Sequence, residues 1–142
     1  MATKQLKILV AEDNLINQKV IAKILDKFNY VPIIVPNGYE AVKEVEKNEY
    51  DCVFMDLLMP VMNGIEATKT ICGLDWTNKT TAKPTIIAMT ASASEEDRLM
   101  CYNAGMDYHI SKPVNIEIIK KTLDLLERGK QKYLKTLDSI KT

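Results

Sequence analysis

Five short apolar runs, each followed by a stretch of helical periodicity, constrain this chain more than any other feature. The runs are Lys7–Ala11, Val31–Val35, Asp51–Asp56, Pro84–Thr90 and Tyr108–Ser111. Three of them carry continuous apolar cores: Ile8-Leu9-Val10-Ala11, Cys52-Val53-Phe54-Met55 and Ile86-Ile87-Ala88-Met89. A strand apolar on both faces belongs inside a parallel sheet covered by helices. The intervening stretches, Asn14–Phe28, Tyr39–Lys47, Ile65–Cys72, Ser94–Asn103 and Asn115–Arg128, read as helices. In the first, Ile16, Val20 and Ile24, with Ile21, Leu25 and Phe28 offset by one, predict an inward stripe. Strict alternation of strand and helix predicts an α/β domain with a doubly wound, five-stranded parallel sheet and helices on both faces.

Local signals punctuate this pattern. Asp13 or Asn14 is placed to cap the first helix. Pro32 marks the second strand as an edge or a strand start. Met59-Pro60 and Asn63-Gly64 bracket a tight loop after the third strand. Ser92, with Glu95 three residues on, has capping-box spacing, and Gly105 is a helix stop. Gly73–Lys83 is polar and irregular, and Trp76 within it is expected to pack locally. The reading divides the chain into a domain over residues 1–128 and a helical extension or linker tail over 129–142. In that tail Tyr133, Leu137 and Ile140 recur at helical spacing. With Leu123 and Leu126 they make a weak a/d seam, broken by Gly129 and Lys130.

Composition excludes several classes. Nineteen basic and nineteen acidic side chains balance, so no nucleic acid is expected as a partner. No apolar run approaches the ~20 residues needed to cross a bilayer, and Met1–Gln5 leads into a strand without a signal peptide. No membrane association is expected. The three cysteines, Cys52, Cys72 and Cys101, lack metal-ligand spacing and suit free thiols in a reducing cytoplasm, the expected location.

The chemistry lies where the strands end. Glu12 and Asp13 follow the first strand and Asp56 closes the third. Open α/β sheets collect ligands outside the carboxyl ends of their strands, so three carboxylates converge at one mouth. Such a cluster calls for a cation, and oxygen-only ligands suit Mg²⁺. Thr90 ends the fourth strand, with small Ala91 after it, and Lys112 follows the fifth and precedes Pro113. The mouth therefore also gathers a hydroxyl and an ammonium. A carboxylate can attack phosphorus, and a metal with a lysine can neutralise the charge that the transfer brings in.

Glu12-Asp13-Asn14, Met55-Asp56 with Met59-Pro60 and Asn63-Gly64, Thr90-Ala91 and Lys112-Pro113 resemble the receiver domain of two-component response regulators. Asn17-Gln18 and Gly105-Met106-Asp107 make the chain most similar to receivers of hybrid histidine kinases. The resemblance runs from about Lys7 to Glu127. It implies a flavodoxin-like sheet in the order 2-1-3-4-5 and a phosphoacceptor at Asp56. It implies Mg²⁺ held by Asp13 and Asp56, by Glu12 through water and by the backbone carbonyl of Leu58. Lys112, Thr90 and Ala91 would contact the phosphoryl group, across a cis bond at Pro113. Thr90 and His109 would form the conformational switch. His109 stands where the family usually has Tyr or Phe; the alternative is an exposed strand-end histidine. Implied partners are a histidine kinase or histidine phosphotransfer protein, since the chain's only histidine is His109. A homodimer through the face of the fourth helix, fifth strand and fifth helix is also implied. Met59 and Met62 are candidate partner contacts.

Other functions fit less well. A small-molecule phosphatase with an aspartate nucleophile would want a second acid where Leu58 stands. A flavin module would bring its phosphate to Glu12 and Asp13, which repel it. A degenerate receiver used only for docking would not need the full pocket. No output domain fits after Arg128, which suggests a stand-alone shuttle or a segment of a larger kinase.

Overall fold

The computed structural model describes residues 4–77, 82–92 and 94–139. Positions 78–81, in the loop carrying Trp76, and Ile140, the last member of the expected seam, lie outside them. Strands β1 (Ile8–Ala11), β2 (Ile33–Val35), β3 (Cys52–Asp56), β4 (Thr85–Thr90) and β5 (Tyr108–Ser111) alternate with helices α1 (Leu15–Asp26), α2 (Gly38–Lys47), α3 (Gly64–Cys72), α4 (Glu95–Ala104) and α5 (Ile116–Glu127). All neighbouring strands pair in parallel, in the order β2-β1-β3-β4-β5. β2 begins later than its apolar run because Pro32 has no N–H to give to the ladder.

Period-2 alternation divides the core into two layers. Ile8, Val10, Cys52, Phe54, Ile87, Met89, Tyr108 and Ile110 meet Ile21 and Leu25 of α1 and Ile119, Leu123 and Leu126 of α5. Leu9, Ala11, Val53, Met55, Ile86 and Ala88 meet Ala41, Val42 and Val45 of α2, Ala67 and Ile71 of α3 and Cys101 of α4. Trp76 packs against this second layer and donates its indole N–H to the Ile71 carbonyl at 2.8 Å, the expected local role.

Three expectations change. The helix α1 stripe is only half buried: Ile21 and Leu25 are inside, but Ile16 is 72% exposed and Val20 is exposed as well. Asn17 and Gln18 in the same turns are half-buried, so the covered stripe of α1 runs through Asn17, Gln18, Ile21 and Leu25, and Ile16 and Val20 lie on the flank turned away from the sheet. The cap of α4 is Ser94, whose hydroxyl accepts from the Asp97 amide; Ser92 is held by Thr90 instead. The tail forms a 3-10 helix over Gln131–Ser139. It buries Leu134 and Leu137 in the first core layer and leaves Tyr133 exposed. With three residues per turn, Leu134 and Leu137 share a face and Tyr133 does not.

The β3–α3 loop is built around one close approach. Asn63 and Glu66 form a reciprocal capping box at the start of α3. A Cβ on Gly64 would lie 2.2 Å from the Asp56 carbonyl oxygen. Only a residue without a side chain lets α3 begin directly against the backbone of Asp56. Gly64→Ala is expected to lower unfolding stability by about 1–3 kcal/mol, as overpacking against immovable backbone does. An unchanged denaturation midpoint would refute this close packing.

Candidate functional site

The acidic mouth forms where β1 and β3, neighbours in the sheet, both end. Glu12 follows β1, and its amide bonds the Val35 carbonyl at 3.0 Å, prolonging the ladder by one residue. Its side chain is almost fully buried. One carboxylate oxygen accepts from Lys112 at 2.8 Å and the other from the Asn14 amide at 3.1 Å. Gln18, one turn into α1, donates its side-chain amide to the Glu12 carbonyl at 2.7 Å. In the sequence Gln18 stands out only as part of the Asn17-Gln18 pair, with no spacing signal for this anchoring. Asn14 caps α1 by accepting from the Asn17 amide, which leaves Asp13 free of capping duty and exposed at the rim.

Asp56 ends β3 and is buried. Lys112, arriving from the end of β5, lies 3.1 Å from Asp56 and 2.8 Å from Glu12. Its backbone amide bonds the Thr90 carbonyl at 2.8 Å, and the Lys112–Pro113 peptide is cis. Glu12, Asp13 and Asp56 each offer an oxygen within 4.8 Å of the others. Three carboxylates against a single ammonium leave a net negative charge with one open, solvent-facing side. That donor set fits a hard divalent cation bound through oxygens and water.

The electrostatics follow from burial and this one lysine. Burial pushes the Asp56 carboxyl up to about 6; Lys112 pulls it down and the Glu12 charge pushes it up. Burial also disfavours ionised Glu12. The hydrogen bonds from Lys112 and the Asn14 amide outweigh it and hold that carboxyl below its usual range. For Lys112, burial favours the neutral amine, but Glu12 and Asp56 outweigh it and the ammonium titrates higher than usual.

The remaining predicted residues sit around this centre. Thr90 is buried, one residue beyond the Asp56↔Met89 pairing of β3 with β4. Its hydroxyl donates to the Ser92 carbonyl and accepts from the Ser92 amide, both at 3.0 Å. It is therefore turned toward its own loop. Ala91 lies exposed beside it. His109 is buried, not an exposed strand-end residue, and its Nδ1 lies 2.9 Å from the Tyr102 hydroxyl of α4. Leu58 is 79% exposed, and Val61 projects outward with φ of 68°, a left-handed conformation that a β-branched residue rarely adopts. Met59 and Met62, the expected contacts of this loop, instead pack on the second core layer.

Comparison with known proteins decides the family. The response regulator receiver domain family matches residues 8–124. The chain is a response regulator receiver domain. This receiver is 34% identical over 136 residues to hybrid signal transduction histidine kinase K of Dictyostelium discoideum, covering 93% of this chain and 11% of that protein. The chain thus spans a small part of the curated relatives it matches. It also resembles the receiver domain of a sensor histidine kinase from Pseudomonas aeruginosa, crystallised with a magnesium ion coordinated in its active site cleft. That likeness has 34% identity and a TM-score of 0.73, over 88% of this chain and 97% of that one. A third likeness is to the Saccharomyces cerevisiae Ssk1 receiver domain, solved in complex with the histidine phosphotransfer protein Ypd1. It has 30% identity and a TM-score of 0.80, over 92% and 94% of the two chains.

The raised Asp56 pKa has a thermodynamic consequence in metal-free receiver. A carboxyl that titrates higher when folded than its ordinary 3.8 stabilises the fold while protonated. That stabilisation is complete below about pH 4 and is lost as pH rises through about 6. Asp56→Asn removes the titration. In chelator-treated protein, wild type is expected to fall about 1–3 kcal/mol behind Asp56→Asn between pH 4 and 7, read from urea midpoints. Parallel pH profiles for the two proteins would contradict it.

Proposed function

We propose that this receiver accepts a phosphoryl group on Asp56 from a phosphohistidine on another protein. The observation that carries the reading is the position of Lys112, which spans Glu12 and Asp56 at the mouth. An Asp56 carboxylate oxygen attacks phosphorus as the histidine N–P bond breaks, leaving an acyl phosphate on Asp56 and returning the electron pair to the imidazole. Lys112 moves from bridging two carboxylates to bridging Glu12 and a phosphoryl oxygen, so its charge stays engaged throughout. Asp13, Asp56, Glu12 through water and the Leu58 carbonyl would hold Mg²⁺. When bound, that ion supplies neutralisation of the phosphoryl oxygens. Ala91 leaves room beside them.

Thr90 supports a switching role. Its hydroxyl is occupied by Ser92 in this conformation, and turning it toward a phosphoryl oxygen exchanges two local hydrogen bonds for a charge-assisted one. Its loop leads into α4, whose Tyr102 holds His109, so a shift at Thr90 reaches β5 through contacts already in place. The receiver also hydrolyses its own phosphoryl group. Apolar Leu58, exposed beside the mouth, offers no polar side chain to orient the attacking water, while small Ser92 leaves access open.

The partner surface follows from the exposed apolar residues of α1. Leu15, Ile16 and Val20 are exposed on the element that follows Asp13, and Leu58 and Val61 are exposed on the loop that follows Asp56. Apolar side chains grouped on the two segments that frame an active centre suit a docking helix. The partner is a histidine phosphotransfer protein or a histidine kinase. Among the described residues no helix is long and apolar enough to cross a membrane.

Two measurements test the reading. With Mg²⁺ and acetyl phosphate, intact mass is expected to show one phosphoryl adduct, absent in Asp56→Asn and reduced at least about tenfold in rate in Lys112→Ala. An undiminished adduct in Asp56→Asn would sink the assignment. Ile16→Glu is expected to slow transfer from a phosphohistidine protein by about tenfold or more while leaving acetyl phosphate labelling unchanged. Equal loss of both would remove the docking surface.

A further inference from the structure

The tail segment Gln131–Ser139 does more than extend α5. It crosses from the α5 side of the sheet to α4 and covers β5, one of the two edge strands. Leu134 and Leu137 are buried among Tyr108, Ile110, Ile119, Leu123 and Leu126. Asp138 then reaches Arg98 of α4 at 3.2 Å. The Lys135 ammonium lies 4.1 Å from the centre of the Tyr102 ring, within cation–π range. Tyr102 is the residue whose hydroxyl meets His109. Burial pushes the Tyr108 phenol up, and the nearby Asp138 carboxylate pushes it further. The segment therefore touches α4 and β5 through four of its side chains, two apolar and two charged.

Its internal structure is weak. Nine residues is long for a 3-10 helix, whose hydrogen bonds are poorly aligned and which usually stops after three or four residues. Only the contacts with α4, β5 and α5 make this conformation worth holding. Those contacts are made in the state in which Thr90 is bound to Ser92 and His109 to Tyr102. Lys135 and Asp138 rest on Tyr102 and Arg98, so a movement of α4 shifts the surface beneath both.

We propose that residues 131–139 form a strap that binds the unphosphorylated conformation of the receiver and is released when the Asp56 site is filled. This rests on the phosphoacceptor reading given above. The coupling is reciprocal: what loosens the strap favours the filled site, and what fills the site loosens the strap. The strap also occupies the face on which a second copy would pair through α4, β5 and α5. That pairing requires strap release.

Beryllium fluoride with Mg²⁺ serves as the phosphoryl mimic, applied to the full chain. Amide exchange in peptides covering 131–139 is expected to rise at least about fivefold on binding, while exchange in β1 and β3 does not. Lys135→Ala, at an exposed position, and Asp138→Asn, a near-isosteric change at a half-buried one, are expected to tighten beryllium fluoride binding by about 5- to 10-fold. An adduct on the unmodified chain with unchanged strap exchange, or unchanged affinity in both variants, overturns the strap and leaves the phosphoacceptor reading standing. Failure of the unmodified chain to bind the mimic at all overturns both.

Discussion

Lys112 is the contact on which the arrangement depends. Two buried carboxylates, Glu12 and Asp56, share its ammonium at 2.8 and 3.1 Å. Without it, two like charges would face each other with little water to screen them. With it, Glu12 is held ionised while Asp56 remains the harder of the two to ionise. The lysine favours ionisation of both; the Asn14 amide on Glu12 and the Glu12 charge beside Asp56 make the two similar groups unequal. The fold serves that contact, because β1, β3 and β5 end at the same edge of one parallel sheet.

Much of this was legible in the residues. Apolar runs closed by acids located the mouth, since a strand buried on both faces must release its first charged residue at its end. The parallel sheet with helices on both faces and the convergence of Glu12, Asp13, Asp56 and Lys112 follow from the same pattern; the strand order came only with the resemblance to receivers. The orientation of Thr90 was not legible. Ser92-x-x-Glu95 and Ser94-x-x-Asp97 offer the same capping chemistry two residues apart, and the competition is decided by which serine Thr90 already holds.

Two other misreadings share a cause. The stripe Ile16-Val20-Ile24 and the seam Tyr133-Leu137 are both sound helical patterns, yet each assumes something sequence cannot supply. The first assumes one wide apolar face, whereas the sheet covers the flank of Ile21 and Leu25 and leaves Ile16 and Val20 outside it. The second assumes 3.6 residues per turn, whereas the segment winds at three and buries Leu134. Periodicity reports which residues align along an element. The neighbouring elements decide how much of the stripe is covered, and at what pitch.

The Glu12–Lys112 pair joins positions one hundred residues apart. During synthesis, Glu12, Asp13 and Asp56 emerge well before their shared cation. An incomplete chain holds the acids without the charge that makes them useful, and its sheet lacks the strand that delivers it. The mouth is therefore complete only once β5 has docked and brought Lys112 beside Glu12 and Asp56. A copy truncated before β5 presents the three acids without their cation.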